Sequence, residues 1–442
     1  MTFNIINGLC RLKRTGVPFL RNGHAFLAEF ARVTILKTVW IIYPYGAIVG
    51  EKYLEARHIR FGKMLAENGY KVVFWTSNFS HGAKTFRSDG WKTVNVCNNF
   101  EIVLVPSTSD KKNISVRRAR FEINYSRNLE KKFYSLDKPD LIITAGTGFL
   151  TAFYPVWPYV KKKNIPVIYD IMDVHPFSNY MKLHHKKLML FANLLTRSIE
   201  WRAKVFYKHV SAVCGLGRNQ LMIAKERTGR TDIPACLVYN GIDVTAFRKR
   251  MELTCQADLP EKKEGEVWCI YAGSLGPSYD IKTLLACAER ARKADDNIRF
   301  IVAGAGPQWS FVDYASKNNP KITFLGSVDA SWLPAIYKKC DIGLCTYASF
   351  STVDMPDKFY DYTAAGLAVV NSLQGEVKEY VQDAGVGLQY ESENSDSLYA
   401  AIKKAVAHLI DYKKASYDLA GRFDLNEQLK PLLQMIRDLI GE

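Results

Sequence analysis

The sequence predicts two doubly wound α/β domains facing each other across a cleft, and three features carry that expectation. Short apolar strands alternate with amphipathic helical stretches, the strands run into glycine-bearing turns, and the pattern stops and restarts once near the middle. At 442 residues the chain has the length for two or three domains, each with its own core.

The first strand is 38–43 (TVWIIY), followed by a loop, 44–50, that contains Gly46 and Gly50. A helix with Ile59, Phe61, Met64 and Leu65 on one face runs to Asn68-Gly69, and the strand 71–75 (KVVFW) begins at once. Further strands are expected at 101–105, 141–144 and 166–170, with helical stretches between them. Crossovers of this kind build parallel sheets, so 37–245 reads as a first Rossmann-like domain.

A polar, charged stretch at 254–266 (TCQADLPEKKEGE) is the linker, and the pattern then restarts over 267–424. Strand 267–271 enters a GSLG turn (Gly273 to Gly276), and strand 298–302 enters a GAGP turn (Gly304 to Pro307), with a helix at 282–293 between them. Strands follow at 322–325, 342–345 and 368–371. A strand entering a glycine turn and then a helix points backbone N–H groups and the positive helix end at an anion. Neither turn is a Walker A loop or a GxGxxG fingerprint, so each alone could equally be an ordinary βα turn.

Charge separates the halves. Up to Asp243 there are 37 basic and 17 acidic residues, a net +20; beyond it there are 23 and 27, a net −4, within an overall +16. Only the first domain therefore calls for an anionic partner: nucleic acid, acidic lipid or a phosphorylated acceptor. The nine cysteines form no CxxC pair and read as core residues of a reducing compartment. No run of about 18 apolar residues and no signal-peptide pattern occurs, so a cytoplasmic protein is expected.

The most specific run is 354–371, DMPDKFYDYTAAGLAVVN. Lys358 and Asp361 stand i,i+3 on one helix face near its start. A sugar nucleotide offers a diphosphate for the cation and ribose hydroxyls for the carboxylate; the alternative is a surface salt bridge between the two.

Taken together, LVYNGID (237–243), IYAGSLG (270–276), FIVAGAGP (300–307), ITFLGSV (322–328) and MPDKFYDYTAAGLAVV (355–370) resemble the retaining GT-B glycosyltransferases of family four, which include enzymes of bacterial polysaccharide assembly. The resemblance runs from about Lys37 to the C-terminus and is most specific after residue 237. It implies a GT-B fold, with helix 425–442 crossing back to the first domain. It implies a donor site in which Ser274, Leu275 and Gly276, with Gly304 to Gly306, approach the diphosphate through the backbone. Leu325 and Val328 border the base, Asp361 meets the ribose, and Met355, Pro356 and Lys358 lie over the phosphates and sugar. Gly46 adds to the donor side from the first domain.

This sequence departs from the family's pattern in three places. Ser274 and Tyr279 occupy positions where the family often has Arg and Lys, Val353 stands at its first acidic position with Asp354 beside it, and Asp361 replaces a glutamate. Lys358 is then the main donor-side cation. In IYDIMDVHPFS (168–178), Asp173 falls on the family's aspartate and His175 lies two residues on; both are candidate catalytic groups near the acceptor. The alternative is that Asp170 or Asp173 caps a turn and His175 packs. Asn240 and Asp243 read as structural residues of the hinge.

The resemblance implies a UDP-linked sugar donor and neither cofactor nor metal; the sequence has no D-x-D pair. The acceptor would be lipid-linked or a glycan, met at an anionic membrane surface from the cytoplasmic side. Residues 1–36 form a basic extension that either lies in that interface or packs on the protein, and homo-oligomerisation stays open. No nucleic-acid module occurs. A rival reading is a catalytically silent sugar-nucleotide-binding paralogue in an assembly complex.

Overall fold

The computed structural model describes residues 36–51, 56–109, 116–145, 155–172, 201, 203–253, 259–351 and 353–442. The candidates Asp173 and His175, almost all of the 1–36 extension and the start of the 254–266 linker lie outside the described residues. The elements below all belong to one compact unit, Thr38–Glu442.

The first half contains β1 (Thr38–Ile42), α1 (Arg57–Glu67), β2 (Lys71–Ser77), β3 (Phe79–Ser80), β4 (Thr85–Phe86), β5 (Lys92–Cys97), β6 (Phe100–Val105), α2 (Val116–Phe133), β7 (Leu141–Ala145), α3 (Trp157–Lys163), β8 (Val167–Ile171), β9 (Ala212–Gly215), α4 (Arg218–Thr228), β10 (Ala235–Leu237) and α5 (Val244–Met251). Its main sheet has the order β10-β9-β8-β7-β1-β2-β6-β5 and is parallel except for β5. Strand alternation divides the core: Val39 and Ile41 enter one apolar cluster, Trp40 and Ile42 the other.

The second half contains β11 (Val267–Ala272), α6 (Ile281–Lys293), β12 (Ile298–Ala303), α7 (Trp309–Asn318), β13 (Ile322–Gly326), α8 (Leu333–Lys339), β14 (Ile342–Cys345), α9 (Asp357–Ala364), β15 (Ala368–Asn371), α10 (Glu376–Asp383), β16 (Gly387–Gln389), α11 (Ser395–Ala407), α12 (Leu409–Leu419) and α13 (Leu425–Ile440). The sheet order β13-β12-β11-β14-β15-β16 is the Rossmann order, reversing between β11 and β14. Ligands of such sheets bind beyond the strand C-termini at that reversal.

The chain passes between the halves twice, and the two passes lie side by side. Ile242 N donates to Phe423 O at 2.9 Å and Leu425 N donates to Ile242 O at 3.1 Å. Gly241, at φ +57°, makes this possible, because a Cβ there would stand 2.5 Å from Phe423 O. Beyond the crossing, Leu429, Leu432, Met435 and Ile436 of α13 are buried in the cluster that holds Val39 and Ile41.

Candidate active site

Three loops at the C-terminal edge of the second sheet are hydrogen-bonded into one floor. Gly273 N donates to Ala303 O and Leu275 N to Ala305 O, both at 2.9 Å, and Gly304 N donates to Gly326 O at 2.7 Å. The loops touch because they lack side chains at the contact: a Cβ on Gly304 would stand 1.9 Å from Gly273 O, and one on Gly306 2.6 Å from Leu275 O. With Gly273 and Leu275 engaged sideways, the amides of Ser274 and Gly276 are the ones this loop can turn to an anion. The Leu275 side chain is fully buried in the core, while Leu325 and Val328 pack, partly buried, against the opposite cluster.

Helix α9 brings Lys358 under this floor. Pro356 holds extended backbone just ahead of the helix, and Met355, Phe359, Tyr360 and Tyr362 are buried in the core beside it. Lys358 is 8% exposed, and its Nζ has no hydrogen-bond partner among the described residues. It lies 4.0 Å from the ring centroid of Tyr271, 4.7 Å from Tyr279 and 5.0 Å from Tyr347. A Cβ on Gly273 would approach it to 3.3 Å. Three π faces stabilise an ammonium but satisfy none of its N–H donors. Burial lowers the Lys358 pKa to about 8, against a smaller upward pull from Cys345 and Asp361. The surface salt-bridge alternative therefore fails for Lys358.

One turn on, Asp361 is partly buried, with Tyr337 Oη 3.5 Å from its Oδ2. Burial, with Asp357 adding to it, raises its pKa to about 7. Asp354 is spoken for by backbone: its Oδ2 accepts from Asn219 N at 3.3 Å and its Oδ1 from Glu376 N at 3.4 Å. It thus joins the first turns of α4 and α10, one from each half, where helix N–H groups favour a carboxylate. Glu376, 3% exposed, strengthens the same junction by accepting from Arg218 N at 2.9 Å, Arg218 Nε at 3.0 Å and the Tyr239 hydroxyl.

On the first-domain side, Gly46 is buried in the turn after β1. Its carbonyl accepts from Thr76 Oγ1 at 3.0 Å and Arg87 Nη2 at 2.9 Å, so it serves the loop's own architecture. Asp170, at the end of β8, does not cap a turn. Its Oδ1 accepts from Arg57 Nη2 at 2.9 Å and its Oδ2 from Arg57 Nε at 3.0 Å, and His58 Nε2 lies 3.1 Å from Oδ2. Burial depresses the His58 pKa, which makes it a neutral ring donating from Nε2. This cluster anchors the strand end three residues before Asp173. Arg57 Nη1 also donates to Val238 O at 2.5 Å, Arg60 donates to Asn240 O, and Asn240 Nδ2 donates to Asp357 Oδ1 at 3.0 Å. Polar contacts thus run from β8 through the hinge to α9. Asp243 caps α5, accepting from Ala246 N at 2.8 Å.

Sequence reasoning missed the three tyrosines around Lys358, the Arg57–His58–Asp170 cluster and Glu376. Only the second left a trace: charged residues at the head of an otherwise apolar helix face (ARHIRF) and at the end of an apolar strand (VIYD). Among the described residues no group of three or more His, Cys, Asp or Glu side chains is placed to hold a metal ion.

Residues 266–408 match the family model for glycosyl transferases group 1. A chitobiosyldiphosphodolichol beta-mannosyltransferase of Candida albicans is 25% identical over 247 residues, 53% of this chain and 49% of that protein. The chain thus spans about half the length of this curated relative. Among solved structures, sucrose-phosphate synthase from Thermosynechococcus elongatus is similar at TM-score 0.64 and 15% identity, over 92% of this chain and 99% of that one. Anabaena HepE in complex with UDP is similar at TM-score 0.62 and 12% identity, over 91% and 100%. The fold is GT-B, two Rossmann-like domains, and the second half is the part similar to group 1 glycosyl transferases.

Proposed function

We propose that this protein is a glycosyltransferase that moves a sugar, with retention, from a UDP-linked donor to a lipid-linked or polysaccharide acceptor at the cytoplasmic membrane face. The observation that carries the reading is the Lys358 ammonium, buried without a hydrogen-bond partner beneath three glycine loops at the sheet's reversal point. A buried cation with unsatisfied donors is costly unless an anion arrives. A nucleotide diphosphate supplies one where the backbone amides of Ser274 and Gly276 and the start of α9 also converge.

In this reading the diphosphate meets Lys358 and the loop amides, and Asp361 accepts from ribose hydroxyls. Main-chain groups at 325–328 border the base. Stabilisation of the leaving diphosphate then rests on protein cation and backbone, without a metal, and catalysis is mainly electrostatics and positioning. Asp173 and His175 approach the acceptor hydroxyl. The UDP bound to HepE supports the choice of base, and the lipid diphosphate in the name of the Candida relative supports the acceptor class.

The test is transfer from UDP-glucose, UDP-N-acetylglucosamine and GDP-mannose to a membrane extract, with the product anomer read by NMR and nucleotide binding by calorimetry. Expected are UDP binding and an axial product from an axial donor. Absence of binding to any nucleotide would overturn the donor assignment; tight UDP binding without transfer from any donor would make the protein a silent sugar-nucleotide binder.

A further inference from the structure

The first domain carries a basic, aromatic groove that the donor site does not use. Trp91 leads into the edge strand β5, which Lys92 and Thr93 open, Val103 lies behind them on β6, and Asn128, Lys131 and Lys132 close the groove from the last turns of α2. Its volume is about 480 Å³, and among the described residues no acidic side chain lines it. The Trp91 ring is 46% exposed, with Lys132 Nζ 6.0 Å from its centroid. The arrangement repeats just beyond α2, where Tyr134 is 47% exposed with Lys162 Nζ 5.3 Å from its ring. Leu136 adds a further exposed apolar side chain.

We infer that the groove between β5 and the end of α2, with the neighbouring Tyr134–Lys162 pair, is the surface on which this protein docks to an anionic phospholipid bilayer. Two aromatic rings left in solvent, each beside a lysine, match the interface between acyl chains and headgroups: the ring settles at headgroup depth and the ammonium meets lipid phosphate. The charge agrees, since the last turns of α2 contribute Arg127, Lys131 and Lys132 against Glu130. This deepens the proposed function, because a lipid-linked acceptor has to be met at a membrane.

The full-length protein is mixed with vesicles of phosphatidylcholine containing 0, 15 or 30% phosphatidylglycerol, and binding is read by co-sedimentation. Wild type is expected to bind in proportion to anionic lipid. Each lysine near the surface contributes roughly fivefold in affinity, so K131Q/K132Q should weaken binding on the order of 20-fold, and W91A should weaken it at every lipid composition. UDP titrations on the same samples report the donor site and the integrity of the fold. Vesicle binding equal to wild type in both variants, or wild-type binding indifferent to phosphatidylglycerol, would overturn the inference. A wild type that ignores UDP yet binds vesicles through Trp91 and these lysines would sink the donor reading and leave the docking surface standing.

Discussion

The guanidinium of Arg57 and the carboxylate of Asp170 meet at 2.9 Å with their side chains 5% and 0% exposed, joining the head of α1 to the end of β8. Burial by itself pushes the Asp170 pKa up, but the Arg57 charge and the hydrogen bonds from His58 and Arg57 outweigh it and hold the carboxyl well below its usual range.

Breaking this pair leaves a buried charge alone, which typically costs about 3–5 kcal/mol. Arg57→Ala and Asp170→Asn should each lower stability by that order in urea titrations. Because the folded pKa of Asp170 is depressed, its contribution is fully present above the unfolded value near 4, fades below it and is lost as pH falls through the folded value. The acid sensitivity of Asp170→Asn should accordingly be shallower than that of wild type. A loss below about 1 kcal/mol in both variants would show that the pair is not the anchor its geometry implies.

On the proposed donor site, Lys358 and Asp361 should set a pH window for nucleotide binding, which would need Lys358 charged, with a pKa of about 8 in the free protein, and Asp361 ionised, with a pKa of about 7. UDP affinity should peak between these values and fall by up to tenfold per unit on either side. In calorimetry, binding on the alkaline limb should take up protons. Lys358→Met should remove the alkaline limb and cost on the order of 10- to 100-fold in affinity, the range for a charge-assisted hydrogen bond. Asp361→Asn should remove the acid limb. In the free protein the depressed lysine makes stability rise with pH between about 8 and 10.4, where only the unfolded chain still holds the proton.

Glu376 and Arg218 should respond unequally to removal. Glu376 is 3% exposed and accepts three hydrogen bonds at the junction of the halves, whereas the Arg218 side chain is 52% exposed. Glu376→Ala strands the Arg218 amide, leaves the Tyr239 hydroxyl only Tyr380 Oη at 3.3 Å, and should cost about 2–4 kcal/mol. Arg218→Ala should cost about 1 kcal/mol or less, the range for an ion pair whose cation stands in water. Thermal unfolding of the two variants gives the comparison, and equal losses would contradict it.

Gly304→Ala tests the shared floor of the donor loops. A methyl group 1.9 Å from Gly273 O must drive the two loops apart, so UDP affinity should drop at least tenfold while the far-UV circular dichroism stays unchanged. Wild-type affinity would mean that the loops are not held by this contact.

The second half is the more legible part of the sequence. VWCIYA followed by GSLG, and RFIVA followed by GAGP, are local patterns in which an apolar run and a glycine turn are neighbours in the chain. The edge strand β5 was not legible, because KTVNVC is mostly exposed, turns only Val94 and Val96 to the core, and pairs antiparallel with β6 only after the turn at Asn99, φ +64°. The short strands β9, β10 and β16 escaped notice because three or four residues leave too little periodicity to read.

The sequence by itself determined the alternation of strand and helix, the glycine turns, the charge contrast between the halves and the placing of Lys358 and Asp361 on one helix face. Each of these is written in residues a few positions apart. Tertiary structure alone decided that Lys358 is caged by Tyr271, Tyr279 and Tyr347, that Asp170 serves Arg57 and His58, and that Asp354 and Glu376 tie the halves together. These contacts join residues up to 158 positions apart, and burial gives them their chemistry. An ammonium at about pKa 8 exists only once water has been excluded from around it, and a buried carboxyl such as Asp170 stays ionised only because Arg57 and His58 are brought against it.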